Sequence, residues 1–318
     1  VAGIDADELY DTRELARQVQ AMITNDGEGN PAFTNLPRKF NIAIGGCRDN
    51  STHAEINDIA FVPAFQEIAA GDSQGDAYCR TFGFNVLVGG FFSSKRIAAA
   101  VPLDVWVVPE DVVALCEAIL IVYREHGPRE NRQKTRLMYL IDEWGIDRFR
   151  TEVEKQLDRT LMSAAPKDEI VWEKRDHIGV HKQQQEGLNY VGLQIPVGRI
   201  YAPDMYEFAR LADEYGSSEI RLTVEQNLIV PNIPDTKLDA FLQEPVLQKF
   251  SANPTNLRRS LVSCTGNQYC PVAIIETKNR ALELIEQLET DLSVPQPVRI
   301  HWSGCSNSCG QPQVADIG

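Results

Sequence analysis

Apolar residues recur at the spacing of an amphipathic helix in several parts of the chain. In residues 12–24, Leu15, Val19 and Met22 fall on one side of such a helix, and Thr12 is a candidate N-cap. Four further segments have helical patterns, namely residues 131–144, 147–160, 204–215 and 235–243.

The clearest helix is predicted over residues 109–126. Pro109 stands at its start, the acidic residues Glu110 and Asp111 fill its first turn, and Gly127 follows its end. Such start and stop signals are local, so both ends of this helix follow from the sequence.

Four apolar runs bounded by turn residues predict strands, over residues 41–46, 84–90, 189–197 and 219–230. Two polar stretches separate them from their neighbours. Residues 65–80 are predicted to form a surface loop or excursion, and residues 165–186 a linker.

The order of these elements predicts an α+β fold with mixed sheets. From residue 189 onward, strand, helix, strand and helix follow one another, which is half of a ferredoxin-like unit. We expect three domains, over residues 1–165, 180–250 and 251–318.

Composition disfavours several classes of partner. The 318-residue chain has a net charge of −14 and a pI near 4.9, which disfavours nucleic acids and anionic membranes as partners. No apolar run reaches the roughly 18 residues that a membrane-spanning helix needs. The chain begins at Val1 without methionine and ends soon after its last cysteine. We therefore expect an internal fragment of a longer protein.

Four cysteines near the end of the chain form two spaced pairs. Cys264 and Cys270 make a C-x5-C pair, and Cys305 and Cys309 make a C-x3-C pair. Four thiolates can hold a [4Fe–4S] cluster. The alternatives are structural zinc, for which C-x5-C is long, and redox-active or buried thiols. The spacing favours the cluster and hence one-electron redox chemistry.

Four segments carry further distinctive sequences: NLPRKFN at 35–41, GFNVLVGG at 83–90, LTVEQN at 222–227 and WSGCSNSCG at 302–310. Together they resemble the sirohaem nitrite and sulfite reductases, and most closely the ferredoxin-dependent assimilatory nitrite reductases. The resemblance extends over nearly the whole chain except the stretch around residues 65–80.

The resemblance implies a [4Fe–4S] cluster coupled to a sirohaem through one shared thiolate. Cys309, the last cysteine of the C-x3-C pair, takes that place, while Cys264, Cys270 and Cys305 hold only the cluster. The first domain would then be a sirohaem-binding domain, and residues 251–318 would begin a second one.

Sirohaem carries several carboxylates, so the resemblance implies a cationic pocket with close backbone approaches. Arg132 and Arg136 are four residues apart and would share one helix face. Plain alternatives remain for these residues: a solvated helix start, an ordinary glycine turn, and amides that pair with loop backbone. The residues expected to contact the cofactor are Arg38, Gly89, Gly90, Arg129, Arg132, Lys134, Arg136, Gln226, Asn227 and Cys309.

Lys39 and Asn41 are the candidate catalytic residues. On a strand they share a face, so both could reach one anion, although a surface basic pair at Arg38 and Lys39 is the plain alternative. The resemblance gives sulfite enzymes lysine at both positions and nitrite enzymes lysine followed by asparagine. One fewer positive charge suits monoanionic nitrite.

The expected function is the six-electron reduction of nitrite to ammonium with reduced ferredoxin as the electron donor. Assimilatory sulfite reduction and a non-catalytic iron–sulfur protein are the alternatives. We expect a monomer without nucleic-acid partners or a membrane span, in the cytoplasm or alternatively the plastid stroma. Two further active-site arginines of the family have no matching segment in this chain.

Overall fold

The computed structural model describes residues 1–69, 78–93, 95–171 and 175–318, and these form two compact units. The first unit contains Ala2 and Glu8–Lys174, and the second contains Val1, Gly3–Asp7 and Arg175–Gly318. Each unit has its own sheet and its own apolar core.

The first unit is built on a five-stranded sheet in the order β1-β2-β3-β6-β7, with a small β4-β5 hairpin beside it in the chain. β1 and β2 are parallel and the other neighbours are antiparallel, so the sheet is mixed. The strands are β1 (Ile42–Ile44), β2 (Ile59–Ala69), β3 (Tyr78–Val88), β4 (Phe91–Phe92), β5 (Ile97–Ala98), β6 (Val101–Val107) and β7 (Met162–Ser163).

The loop predicted over residues 65–80 is wrong for every part of it that the structure describes. Residues 65–69 belong to β2 and residues 78–80 to β3, and the two strands pair from Ile59↔Val88 to Ala69↔Tyr78. Side chains at these paired ends are largely exposed, which explains the polar composition that suggested a loop. Residues 70–77 lie outside the described residues.

Among the described residues of the first unit there are four helices: α1 (Arg13–Thr24), α2 (Val112–His126), α3 (Leu137–Trp144) and α4 (Ile146–Leu157). Leu15 and Val19 of α1 are buried, as their spacing predicts. A 3₁₀ turn at Pro109–Asp111 leads into α2, which ends before Gly127 as predicted. Together the helices confirm the predictions for 12–24, 109–126 and 147–160 to within a few residues.

The helix predicted from residue 131 begins only at Leu137. Asn131 turns the chain, because its side-chain oxygen accepts the N–H of Gln133 at 3.0 Å and its carbonyl accepts the N–H of Lys134 at 2.7 Å. Arg132 therefore lies in a turn. The prediction that it shares a helix face with Arg136 is wrong.

The second unit contains a four-stranded antiparallel sheet in the order β10-β11-β9-β8 with two helices. The predicted 219–230 strand is instead a hairpin, since residues 223–227 reverse the chain. The edge strand β8 lies inside the predicted linker, where alternating exposure accounts for its polar sequence. The elements are β8 (Gly179–Lys182), β9 (Leu188–Leu193), α5 (Ala202–Tyr215), β10 (Arg221–Leu222), β11 (Leu228–Pro234) and α6 (Asp235–Leu242).

The cysteine-bearing end of the second unit is a parallel strand pair with one helix. β12 (Leu261–Ser263) and β13 (Ile300–Trp302) pair from Leu261↔Ile300 to Ser263↔Trp302. α7 (Lys278–Asp291) lies between them in the chain and buries Ala281 and Ile285 against a small apolar core.

The mixed parallel and antiparallel sheets with intervening helices confirm the predicted α+β class. Within the described residues, none of the helices has both the length and the apolar character needed to cross a membrane.

Candidate functional site

Lys39 and Asn41 lie in the segment that precedes β1, and both side chains are exposed. Phe40 between them points inward, with its ring centroid 5.3 Å from that of Tyr123. Ile59 donates its N–H to the carbonyl of Asn41 at 3.1 Å, which continues the β1–β2 pairing by one residue. The strand itself is shorter than predicted, but the alternation that exposes Lys39 and Asn41 is present.

Asp58 fixes this segment through a hydrogen bond to its backbone. Its side chain is fully buried, and its carboxylate accepts the N–H of Asn41 at 2.8 Å and hydrogen bonds from two nitrogens of Arg136. Burial raises the pKa of Asp58, while Arg136, the Asn41 N–H and Lys39 act in the opposite direction. The Arg136 guanidinium is thus engaged inside the protein, and its expected contact with a cofactor stays a prediction.

The other basic residues predicted at the site differ in how they are engaged. Arg129 donates hydrogen bonds to the backbone carbonyls of Asn35 at 2.6 Å and Arg124 at 2.7 Å. Arg38, Arg132 and Lys134 are exposed, and no carboxylate of the described residues forms an ion pair with them.

Several of these charges act on one buried hydroxyl. Burial raises the pKa of Tyr123 and Asp58 adds to the rise, whereas Arg136, Arg129 and Arg38 lower it. These three arginines are therefore close enough in space to share an electrostatic environment. Of the three, Arg136 is paired with Asp58, whereas Arg38 is exposed and free to attract an anionic ligand.

Gly89 and Gly90 are required by the packing of the first unit itself. Gly89 has φ +88°, and a Cβ there would lie 2.8 Å from the Met138 methyl carbon. A Cβ on Gly90 would lie 2.4 Å from the carbonyl oxygen of Glu55. This favours the plain-turn alternative, and the approach of a macrocycle to this backbone stays a prediction.

Substituting Gly90 by alanine is expected to lower the free energy of unfolding by about 1–3 kcal/mol, because backbone must move to admit the methyl group. Denaturant unfolding of the cofactor-free chain measures this. Gly45→Ala is the control, since a Cβ there makes its closest contact at 3.4 Å with the Phe61 carbonyl oxygen. Equal stability of the two variants would contradict the packing explanation.

The structure brings two of the four predicted cluster ligands to one edge of a sheet. Cys264 directly follows β12, and Gly304 and Cys305 come shortly after β13, so parallel pairing places both strand ends together. The N–H of Gly304 donates to Sγ of Cys264 at 3.1 Å. Backbone N–H groups directed at cysteine sulfur are among the features that tune iron–sulfur sites.

Cys270 and Cys309 lie in the loops that continue from this edge. The N–H of Cys270 donates to the carbonyl of Gly266 at 3.0 Å, and the N–H of Gly310 donates to Oγ of Ser303 at 3.0 Å. Across the described part of the chain, no three His, Cys, Asp or Glu side chains are gathered as a metal site. Four thiols on adjoining loops fit a cluster by donor chemistry and chain position, not by preformed geometry.

Gln226 and Asn227 use their amides on the backbone of the second unit. Gln226 donates to the carbonyl of Ser263 at 2.8 Å and accepts its N–H at 3.1 Å. The side-chain oxygen of Asn227 accepts the N–H of Ile195 at 2.9 Å. The contacts match the loop-backbone alternative, and cofactor binding by either residue stays a prediction.

Sequence reasoning missed Asp58, Thr277 and Lys278. Asp58 directly precedes the apolar run of β2, and an acidic residue next to such a run was the available signal. The structure shows that this acid is buried. Thr277 and Lys278 stand at the start of α7, where their types suggest only an ordinary helix end. Their contacts with the Cys264 segment depend on tertiary structure.

Two family models match the chain. Residues 1–161 match the nitrite and sulphite reductase 4Fe-4S domain, and residues 181–247 match the nitrite/sulfite reductase ferredoxin-like half domain. All four paired cysteines lie beyond both matched ranges, which makes their placement in the structure an independent observation.

Curated relatives match over the full chain. It is 65% identical to the ferredoxin–nitrite reductase of Leptolyngbya laminosa, 59% to that of Synechococcus elongatus and 53% to the chloroplastic ferredoxin–nitrite reductase of Zea mays. Each alignment covers 100% of this chain but 60%, 60% and 55% of the relative, respectively. The chain thus spans somewhat more than half the length of these relatives.

A solved structure has the same fold. The Mycobacterium tuberculosis NirA protein superposes with a TM-score of 0.84 at 33% sequence identity, over 100% of this chain and 56% of that one.

Proposed function

Because the chain belongs to the nitrite and sulphite reductase 4Fe-4S domain family, we propose that the full-length protein is a ferredoxin–nitrite reductase. It reduces nitrite to ammonium with six electrons from reduced ferredoxin. The cofactors are a sirohaem and a [4Fe–4S] cluster. Assimilatory sulfite reduction is the less favoured activity, since Asn41 stands where a second lysine would be expected.

The observation that carries this proposal is the strand edge at which β12 and β13 present Cys264 and Cys305 together. Cys270 and Cys309 follow on the two adjoining loops and complete the donor set. When bound, the cluster and the sirohaem would supply single electrons and the iron at which the anion is reduced. Soft thiolates are the ligands that such a cluster selects.

The residues of this chain bind and orient the anion. The Lys39 ammonium attracts a monoanion and donates hydrogen bonds to its oxygens, and the neutral Asn41 amide donates another. The Asp58 carboxylate accepts the Asn41 backbone N–H at 2.8 Å and so fixes the backbone from which the Asn41 side chain extends. Lys39 also holds a proton that it can supply as N–O bonds break.

The anaerobic optical spectrum of the full-length protein, with and without nitrite, tests the proposal. We expect Soret and visible bands that a bare cluster lacks, a shift of these bands on nitrite addition, and ammonium formation with reduced ferredoxin. A spectrum of a cluster alone would instead identify a non-catalytic iron–sulfur protein.

Substituting Asn41 by lysine is expected to shift the preference from nitrite toward sulfite. One added charge-assisted contact is worth about 1.5–3 kcal/mol, or roughly one to two decades in kcat/KM at about 1.4 kcal/mol per decade. The Asn41 side chain is exposed and its backbone is bound to Asp58 and Ile59, so the change is confined to the side chain. The measurement is kcat/KM for both anions with one artificial donor.

Gln20→Lys is the control for this variant. It adds the same charge on the exposed face of α1 in the same unit, where lysine is well tolerated. A sulfite-to-nitrite ratio in fully loaded Asn41→Lys that is unchanged, or equal to that of the control, would remove position 41 as the determinant of selectivity.

The domain assignment and the setting of the protein also belong to this proposal. Residues 1–165 act as a sirohaem-binding domain, residues 180–250 as a half ferredoxin-like domain, and residues 251–318 begin a second sirohaem domain with the cluster cysteines. The two family matches support the first two of these. The protein acts as a monomer in the cytoplasm, or in the plastid stroma as the chloroplastic relatives suggest.

A further inference from the structure

The peptide that connects Ser263 to Cys264 is held by a lysine of α7. Lys278 is half-buried, and its Nζ donates to the carbonyl of Ser263 at 3.1 Å and to the carbonyl of Val197. One ammonium thus ties the end of β12 to a 3₁₀ turn elsewhere in the second unit. The residue held is the one directly before the first predicted cluster ligand.

Two other side chains also form hydrogen bonds with the backbone of Ser263 and Cys264. The Oγ1 hydroxyl of Thr277, whose residue is fully buried, donates to the carbonyl of Cys264 at 2.8 Å. Gln226, which precedes Ser263 in the chain, makes two hydrogen bonds to the Ser263 backbone. Of these three side chains, only Lys278 carries a charge.

The Lys278 ammonium is bound to the residue next to Cys264, and a small set of charged groups acts on it. Burial and the nearby Arg199 lower the pKa of Lys278, while Cys264 and Glu276 raise it. Arg199 is itself engaged with Asn279 at 2.8 Å and with Gln268, inside the C-x5-C loop, at 3.0 Å. The base of the cysteine loop is therefore a cationic environment within an acidic chain.

We propose that Lys278 is a positioning residue for the iron–sulfur cluster, which fixes the Cys264 segment and places a positive charge beside the cluster to favour its reduced state. This inference rests on the proposed function. Adding an electron to a cluster adds negative charge, and a nearby cation in a partly desolvated setting stabilises that charge. Two carbonyl partners keep the ammonium in one place, so the charge acts at a fixed distance.

The test uses the full-length, cofactor-loaded protein and a redox titration of the cluster followed by electron paramagnetic resonance. At one applied potential, Lys278→Met is expected to lower the ratio of reduced to oxidised cluster by about tenfold, which corresponds to about 59 mV for one electron. Lys278→Arg retains the charge and is expected to stay close to the unsubstituted protein. Iron and sirohaem contents are measured on every sample.

Lys237→Met is the matched control, since the Lys237 ammonium also donates to a backbone carbonyl of the second unit, that of Glu214. An unchanged potential in fully loaded Lys278→Met, or an equal shift in the control, would overturn the proposal. If Lys278→Met loses iron, retention in Lys278→Arg supports it and loss in both variants overturns it. Absence of the cluster from the unsubstituted protein would instead refute the proposed function.

Discussion

Substitution of Cys309 by serine is expected to remove the cluster and uncouple the sirohaem in the full-length protein, with nearly complete loss of nitrite reduction. One thiolate is expected to serve both metal centres, and a serine hydroxyl is a poor ligand for iron that soft thiolates otherwise hold. The loss of activity should exceed the roughly 10–100-fold typical of a residue that only orients a metal ligand. Iron and sirohaem contents and the electron paramagnetic resonance spectrum are measured together.

Cys79→Ser is the control, because Cys79 is an exposed thiol on β3 of the first unit, remote in sequence from the cysteine pairs. It should keep both cofactors and full activity. Retention of iron and sirohaem in Cys309→Ser, with unchanged coupling between them, would refute the bridging role of that thiolate.

Helices were the part of the fold most accessible from the sequence. Pro109 and Gly127 bracket α2 because start and stop signals act within one turn, and Leu15 and Val19 are buried because helical spacing fixes a face. The error at residues 131–136 has the same local scale. There the Asn131 side chain competed for backbone N–H groups and delayed α3 to Leu137.

Strands were harder because their hydrogen bonds come from another segment of the chain. β2 and β3 pair over eleven residues each, but the side chains at their paired ends are exposed and polar, so the sequence there resembles a loop. Only the backbone pairing between the two segments shows that these ends are strand. Likewise, the apolar run at 219–230 contains a reversal at residues 223–227, where Gln226 adopts φ +64°. Nothing in the spacing of apolar residues marks that turn.

The candidate site, too, could be predicted only in part from the sequence. Spacing alone selected Cys264, Cys270, Cys305 and Cys309, and parallel pairing of β12 with β13 explains why the Cys264 and Cys305 segments come to one sheet edge. The contacts that fix the site could not be predicted. Asp58 and Arg136 are 78 residues apart, and only the folded chain shows that this arginine has a buried carboxylate partner.

That buried pair gives the largest stability effect we expect in this chain. Asp58→Asn should lower the free energy of unfolding by about 3–5 kcal/mol, because it leaves the guanidinium of Arg136 buried without a compensating charge. The Asp58 side chain is 0% exposed and that of Arg136 is 7% exposed, so water cannot replace the lost partner. Denaturant unfolding of the cofactor-free chain measures the change.

Asp142→Asn is the matched control. It breaks the Arg96–Asp142 pair in the same unit, where the side chains are 32% and 45% exposed, and should cost less than about 1 kcal/mol.

The double variant Asp58→Leu/Arg136→Met should recover much of the lost stability, since well-packed apolar residues often replace a buried ion pair without penalty. It would not restore the hydrogen bond from the Asn41 N–H, so nitrite turnover in the full-length protein should stay impaired. Equal stability of Asp58→Asn and Asp142→Asn would contradict the stability effect expected of the buried pair. Full turnover in the double variant would contradict a role for Asp58 in fixing the Lys39–Asn41 segment.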